Sequence, residues 1–177
     1  MKKLLAALSA LAILAPMAAG AHGPPRKKVS EAVEIAAPPE RVWAVLSNFH
    51  DMSWLPPVEK TEGPGGNEID ATRKLTLKGG ATVDEVLYKY DAQKMSYSYR
   101  ITAVDVKVLP VTNYASTISV SPAGEGRSKV QWDGAFYRGY PNNDPPAELN
   151  DDAAIKAVTG LYQAGLAALK ARIEKGS

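Results

Sequence analysis

From Ile69 apolar residues recur at every second position for about seventy residues, and from Asp151 they recur at every third or fourth for twenty-five. A chain with that change of period is expected to fold as a long antiparallel meander followed by one amphipathic helix. Turn signals divide the meander at Lys78-Gly79-Gly80, Asp91-Ala92-Gln93-Lys94 and Pro122-Ala123-Gly124-Glu125-Gly126. Charge sets the register of the first hairpin: centred on Gly79, it puts Arg73 opposite Glu85, Lys74 opposite Asp84 and Leu75 opposite Val83. Two opposite-charge pairs then lie on opposite faces, which stabilises that pairing over its neighbours.

Later strands are expected at Met95–Ala103, Val111–Val120 and Lys129–Tyr137. Their inward sets are Met95, Tyr97, Tyr99 and Ile101; Tyr114, Ser116, Ile118 and Val120; and Val130, Trp132, Gly134 and Phe136. The helix runs Asp151–Lys175, with Ile155, Val158, Tyr162, Leu166, Leu169 and Ile173 on one face. Asn150 can cap it, and Asp151, Asp152, Lys170, Arg172 and Lys175 suit the sign of its ends. Gly160 and Gly165 weaken it, so at least one is expected where the helix approaches the sheet closely.

Upstream, paired prolines punctuate the chain at Pro24-Pro25, Pro38-Pro39 and Pro56-Pro57, with a fourth pair at Pro145-Pro146 before the helix. A first strand is expected over Val29–Ile35 and a short helix over Glu40–Phe49 carrying Val42, Trp43, Leu46 and Phe49 inward. His50–Gly66 is expected to be irregular, with at most a helical turn or a short strand between its two breaks.

The amino terminus has the pattern of an export signal: Lys2-Lys3, an apolar run Leu4–Ala15, and the small-residue site Ala19-Gly20-Ala21. Cleavage there predicts a periplasmic protein of one domain, residues 22–177, with residues 1–21 removed and no membrane anchor remaining. Without Lys2 and Lys3 the chain carries as many basic as acidic side chains, 19 each. That balance gives no support to nucleic-acid binding. No cysteine is present, so disulfides, thiolate chemistry and a Cys-x-x-Cys-His haem site are excluded.

The element order resembles the helix-grip arrangement of the START-like superfamily, also called SRPBCC or polyketide cyclase/dehydrase-like: an α+β fold with a curved sheet around a terminal helix. Ala37-Pro38-Pro39-Glu40-Arg41-Val42-Trp43 is similar to that family's entry to its first helix, and Trp54 with Pro57-Val58 to its tryptophan-proline loop. Arg73, Leu75, Gly80, Glu85, Leu87, Tyr90-Asp91, Tyr99, Ile101, Leu109-Pro110-Val111, Val130, Trp132, Gly165-Leu166 and Leu169-Lys170 extend the match over residues 28–175. The export signal, the run Trp54–Arg73 and the loop Tyr137–Asp144 resemble the MxaD-type periplasmic proteins of methanol oxidation. That resemblance implies an accessory without a redox centre or other cofactor, aiding contact between methanol dehydrogenase and its c-type cytochrome acceptor.

The superfamily fold also implies a cavity between helix and sheet, with Trp54, Arg73, Glu85, Tyr97, Tyr99, Tyr114, Trp132, Phe136 and Tyr162 as candidate lining residues. The tyrosines could offer hydroxyls to an apolar ligand or be ordinary core aromatics. Arg73 and Glu85 could orient a polar group or act in acid–base chemistry, but a mutually satisfied structural pair is the favoured reading. His50-Asp51 is better explained as a loop or helix end than as a proton shuttle. His22 at a new terminus could chelate copper through its amine and ring, and a histidine brace would need His50 as well; a tail is favoured and no metal is assigned. Tyr137, Arg138 and Tyr140 are candidates for partner docking, against a solvated linker. Three functions stay open: the methanol-oxidation accessory, a carrier of a small apolar or lipid-like ligand, and a cyclase or hydrolase using Glu85, Arg73 or His50.

Overall fold

The computed structural model describes residues 23–176. The export segment and His22 lie outside the described residues. The elements follow as β1 (Lys27–Ile35), α1 (Pro39–Leu46), β2 (Val58–Glu62), β3 (Thr72–Leu77), β4 (Thr82–Asp91), β5 (Ser96–Val104), β6 (Val111–Pro122), β7 (Ser128–Arg138), a 3₁₀ turn at Ala147–Leu149, and α2 (Asp151–Lys175). The seven strands form one sheet in the order β1-β7-β6-β5-β4-β3-β2. Every neighbouring pair is antiparallel. The first strand therefore returns alongside the last, which carries the chain into α2.

The hairpin β3–β4 has the register that its charges select: Arg73 faces Glu85, Lys74 faces Asp84 and Leu75 faces Val83. Lys74 and Asp84 meet at 3.4 Å on the exposed face, and Arg73 and Glu85 at 2.6 Å on the buried one. Curvature comes from register shifts in the longer strands. In β6 one extra residue is inserted between Thr112 and Ala115, where Asn113 takes the left-handed conformation at φ 47°. Such a bulge bends a strand and re-aims its neighbours. Tyr114, next to it, points inward and is 3 % exposed.

Helix α1 ends at Leu46, short of the expected Phe49. The backbone beyond it finds side-chain partners instead: Asn48 Oδ1 accepts from the His50 N–H at 3.0 Å, and Asn67 Oδ1 from the Phe49 N–H at 2.8 Å. Asparagine competes with helical bonds in this way. Phe49 is nonetheless fully buried, so the apolar spacing correctly marks its side while overstating the helix. Met95 likewise precedes β5 and sits half-buried in the turn at φ 48°.

Helix α2 begins and ends where its period predicts and is fastened to β1 along its length. Lys27 pairs with Asp151 at 2.8 Å, Lys170 Nζ donates to the Glu34 carbonyl at 2.7 Å, and Glu174 Oε1 accepts from the Ala36 N–H at 2.9 Å. Asn150 Oδ1 accepts from the Ala153 N–H at 2.9 Å, filling one donor vacancy of the first turn. Asn150→Ala is expected to cost about 1 kcal/mol in urea unfolding. An unchanged midpoint would mean that the β1 clamp alone holds this end.

Candidate functional site

Helix α2 packs directly on β1 and β7. Two glycines permit this closeness. A Cβ at Gly165 would stand 2.7 Å from Leu55 Cδ1 and 2.9 Å from Trp132 Cζ3, and one at Gly134 would stand 2.2 Å from the Tyr162 hydroxyl. Gly160 meets nothing, so the close approach belongs to Gly165.

Across β3, β4 and β5 a cavity of about 250 Å³ remains under the helix face that carries Ala157 and Leu161. Its wall is apolar for the most part, including Leu55, Val58, Leu77, Ile101 and Leu109. Val108 lines it as well while 39 % exposed, which places the opening at the β5–β6 connection. The polar side chains on the wall are Glu85, Tyr99, Tyr114 and Trp132. These four were among the residues expected to line a cavity.

The other five expected lining residues stand one layer back, each for an identifiable reason. Trp54 packs edge-on against the outer side of Trp132, with centroids 5.5 Å apart. Tyr97 fills the core against Trp43 and Phe49 at 6.2 and 6.1 Å. Phe136 stacks behind Tyr114 at 6.1 Å, and Tyr162 behind Trp132 at 4.2 Å. Arg73 lies between the rings of Phe49 and Tyr99, its Cζ 4.0 and 4.9 Å from their centroids. An inward-facing strand residue thus reaches the cavity only where no second aromatic covers it.

Arg73 and Glu85 are only partly satisfied by each other. Arg73 Nε donates to Glu85 Oε2 at 2.6 Å and Nη1 donates to the Phe49 carbonyl at 2.5 Å, while Nη2 has no hydrogen-bond partner among the described residues. Glu85, which lines the cavity, keeps Oε1 without a hydrogen bond among the described residues. Burial pushes the Glu85 carboxyl above the usual carboxylate range, and the Arg73 guanidinium pulls against that rise.

Beside this pair runs a chain of buried hydroxyls. Trp132 Nε1 donates to Ser116 Oγ at 2.8 Å and to Tyr99 OH at 3.2 Å. Ser116 Oγ donates to the Asp133 carbonyl at 2.7 Å and meets Tyr162 OH at 2.9 Å; Tyr162 OH meets Tyr114 OH at 2.5 Å. Burial raises Tyr99 and Tyr114 well above the ordinary phenol range, so both keep their protons at any physiological pH.

His50 lies away from the cavity, its Nε2 2.8 Å from the Thr72 carbonyl. No group of three or more potential metal ligands is present among the described residues. In the loop after β7, Arg138 serves its own chain: Nε donates to the Tyr140 carbonyl at 2.7 Å, Nη2 to the Asn142 carbonyl at 2.8 Å, and Nη1 lies 3.8 Å from Asp151. Tyr137 and Tyr140 are half-buried, and residues 141–144 project into solvent.

The lining residues outside the candidate set come from the strands β2–β5 (Val58, Leu75, Leu77, Val83 and Ile101), from two irregular segments and from the rim of the helix face. Leu55 and Pro57 belong to the connection before β2, and Val108 and Leu109 to the one after β5. Leu161 had a signal, lying one helical turn after Val158 and beside Tyr162, but at the edge of the apolar stripe.

Residues 26–174 match the family model described as polyketide cyclase / dehydrase and lipid transport. Among solved structures, an uncharacterised protein from Bacillus thuringiensis is 30% identical over 83% of this chain and 98% of its own, with a TM-score of 0.71. The protein XoxI from Bacillus cereus is 31% identical over 82% of this chain and 94% of its own, with a TM-score of 0.70. The Zhui aromatase/cyclase from Streptomyces shares the fold at 19% identity, covering 85% of this chain and 94% of its own, with a TM-score of 0.69. No curated protein matches the chain.

Proposed function

Because the chain belongs to the polyketide cyclase / dehydrase and lipid transport family, we propose that it is a binding protein for a small, largely apolar ligand held between α2 and the sheet. The observation that carries this reading is the cavity itself: an apolar wall with a few convergent polar groups at one side, the usual form of a small-molecule site. At about 250 Å³ it lies just below the range of about 300–1,000 Å³ common for drug-sized ligands, so the ligand is compact. Glu85, Tyr99 and Tyr114 orient it, and the apolar wall supplies most of the affinity by excluding water.

Filling the cavity tests this. Leu161→Trp puts an indole into the space while leaving Arg73, Glu85 and the hydroxyl chain in place. Displacement of a fluorescent apolar reporter from the purified protein is expected to weaken at least tenfold, with thermal stability unchanged or raised. Equal reporter affinity in the two proteins would remove the cavity from the account.

We place this binding in the periplasm, in keeping with the export pattern of residues 1–21. A second reading, the accessory of methanol oxidation that joins methanol dehydrogenase to its cytochrome, is supported by the exposed turn 141–144, which Arg138 holds in one shape. A rigid exposed turn loses little entropy on docking. Titration of purified methanol dehydrogenase and its cytochrome with the protein and with Arg138→Ala would decide it. Heat of binding that disappears in the variant supports the role, and its absence from both proteins removes it.

A further inference from the structure

The directions of the buried hydrogen bonds can be fixed by counting protons. A carbonyl only accepts, so the single Ser116 hydroxyl proton is spent on the Asp133 carbonyl. Ser116 Oγ must then accept at its two other contacts, from Trp132 Nε1 and from Tyr162. Tyr162 has used its proton on Ser116, so in its 2.5 Å contact with Tyr114 it accepts, and Tyr114 donates. Tyr114 is left with acceptor capacity and no proton to offer. At Tyr99 the outcome is reversed: its oxygen accepts from Trp132 Nε1, and its own proton has no acceptor among the described residues.

The cavity wall therefore carries one free donor, Tyr99, flanked by two acceptors, Tyr114 and the Glu85 carboxylate, whose Oε1 has no hydrogen bond among the described residues. The Tyr99 and Tyr114 rings are 6.3 Å apart, and Glu85 lies diagonally across the β4–β5 ladder from Tyr99, which faces Leu87. Resting on the binding function proposed above, we infer that this trio selects a neutral ligand bearing a hydroxyl, which accepts the Tyr99 proton and donates its own to Tyr114 or Glu85.

Other polar groups fit the trio worse. A carbonyl or ether accepts from Tyr99 but leaves both acceptors unfilled. An ammonium can donate to Tyr114 and Glu85 but has no lone pair for Tyr99. A carboxylate would bring a second negative charge to Glu85, whose own charge Arg73 already balances. Of the groups compared, only a hydroxyl is donor and acceptor at one atom without adding charge. A buried polar group left without its partner is costly, which is how such a site discriminates against analogues.

Calorimetric titration with 2-naphthol, 2-methoxynaphthalene and 2-methylnaphthalene tests this on one apolar body. The hydroxyl compound is expected to bind at least about tenfold more tightly than either of the others. Tyr99→Phe and Tyr114→Phe should each erase most of that advantage of the hydroxyl compound over 2-methylnaphthalene, and circular dichroism with thermal unfolding shows whether the variants are folded. Equal or tighter binding of the ether or the hydrocarbon by the unaltered protein overturns the hydroxyl assignment and leaves the binding function standing. No binding of any of the three overturns both. If a variant fails to fold, the three affinities of the unaltered protein decide alone.

Discussion

Removing either member of the Arg73–Glu85 pair is expected to destabilise the protein by about 3–5 kcal/mol, and removing both by much less than the sum. The two side chains are 1 % and 5 % exposed, so a single replacement strands a largely desolvated charge. The losses should be unequal. After Glu85→Gln the guanidinium still has the Phe49 carbonyl and the faces of Phe49 and Tyr99, which soften its isolation. After Arg73→Met, Glu85 has lost its only hydrogen bond among the described residues and escapes the penalty only by taking up a proton.

That escape gives the second loss a pH dependence of known sign. Burial already raises the folded-state value of Glu85 above its ordinary 4.5, and without Arg73 it rises further. A raised value makes the folded state the better proton binder, so stability is fullest below the ordinary value and drains away as pH climbs through the folded one. The deficit of Arg73→Met should therefore be small at pH 5 and large at pH 8, whereas Glu85→Gln should show no such widening. Urea unfolding of the parent, both single variants and Arg73→Met combined with Glu85→Gln closes the cycle. Additive losses would mean that the two groups do not depend on each other.

The first hairpin was legible because its register is written in charge: a shift of one residue would keep only one opposite-charge pair, Arg73 against Asp84, leave Lys74 opposite Val83 and turn Glu85 outward. Helix α2 was legible because its apolar period continues unbroken from a capping Asn150. The end of α1 was not, since it depends on Asn67, a residue distant in sequence that takes up the Phe49 N–H. The cavity was legible in part. Alternation tells which face a residue occupies, and Tyr99, Tyr114 and Trp132 do face the space, but so do Tyr97 and Phe136, which other rings cover. Part of the wall comes from Leu55, Pro57, Val108 and Leu109, in segments with no period at all. Nor could the directions of the hydroxyl chain be found, because they descend from a backbone carbonyl, that of Asp133, which carries no sequence signature.

Gly134→Ala is the other change with a large expected consequence, and it tests whether the hydroxyl chain is held by the sheet or merely rests on it. Gly134 pairs with Val29 on one side and Ser116 on the other, in the middle of β7. Its missing side chain is where the Tyr162 hydroxyl sits, 2.2 Å from the position a Cβ would take, with Tyr162 Cζ next at 3.1 Å. A methyl group there must drive the phenol away from Ser116 and Tyr114, and the ring off Trp132, where it stacks at 4.2 Å. Overpacking of this kind costs about 1–3 kcal/mol, and the hydroxyls left unpaired add a comparable amount. In a Tyr162→Phe background the same substitution meets no hydroxyl, and its cost should fall to a fraction of that value. Thermal unfolding of the two single variants and the double variant measures the difference. If Gly134→Ala costs the same in both backgrounds, the damage lies in the backbone of β7, and the glycine is not the seat of the Tyr162 hydroxyl.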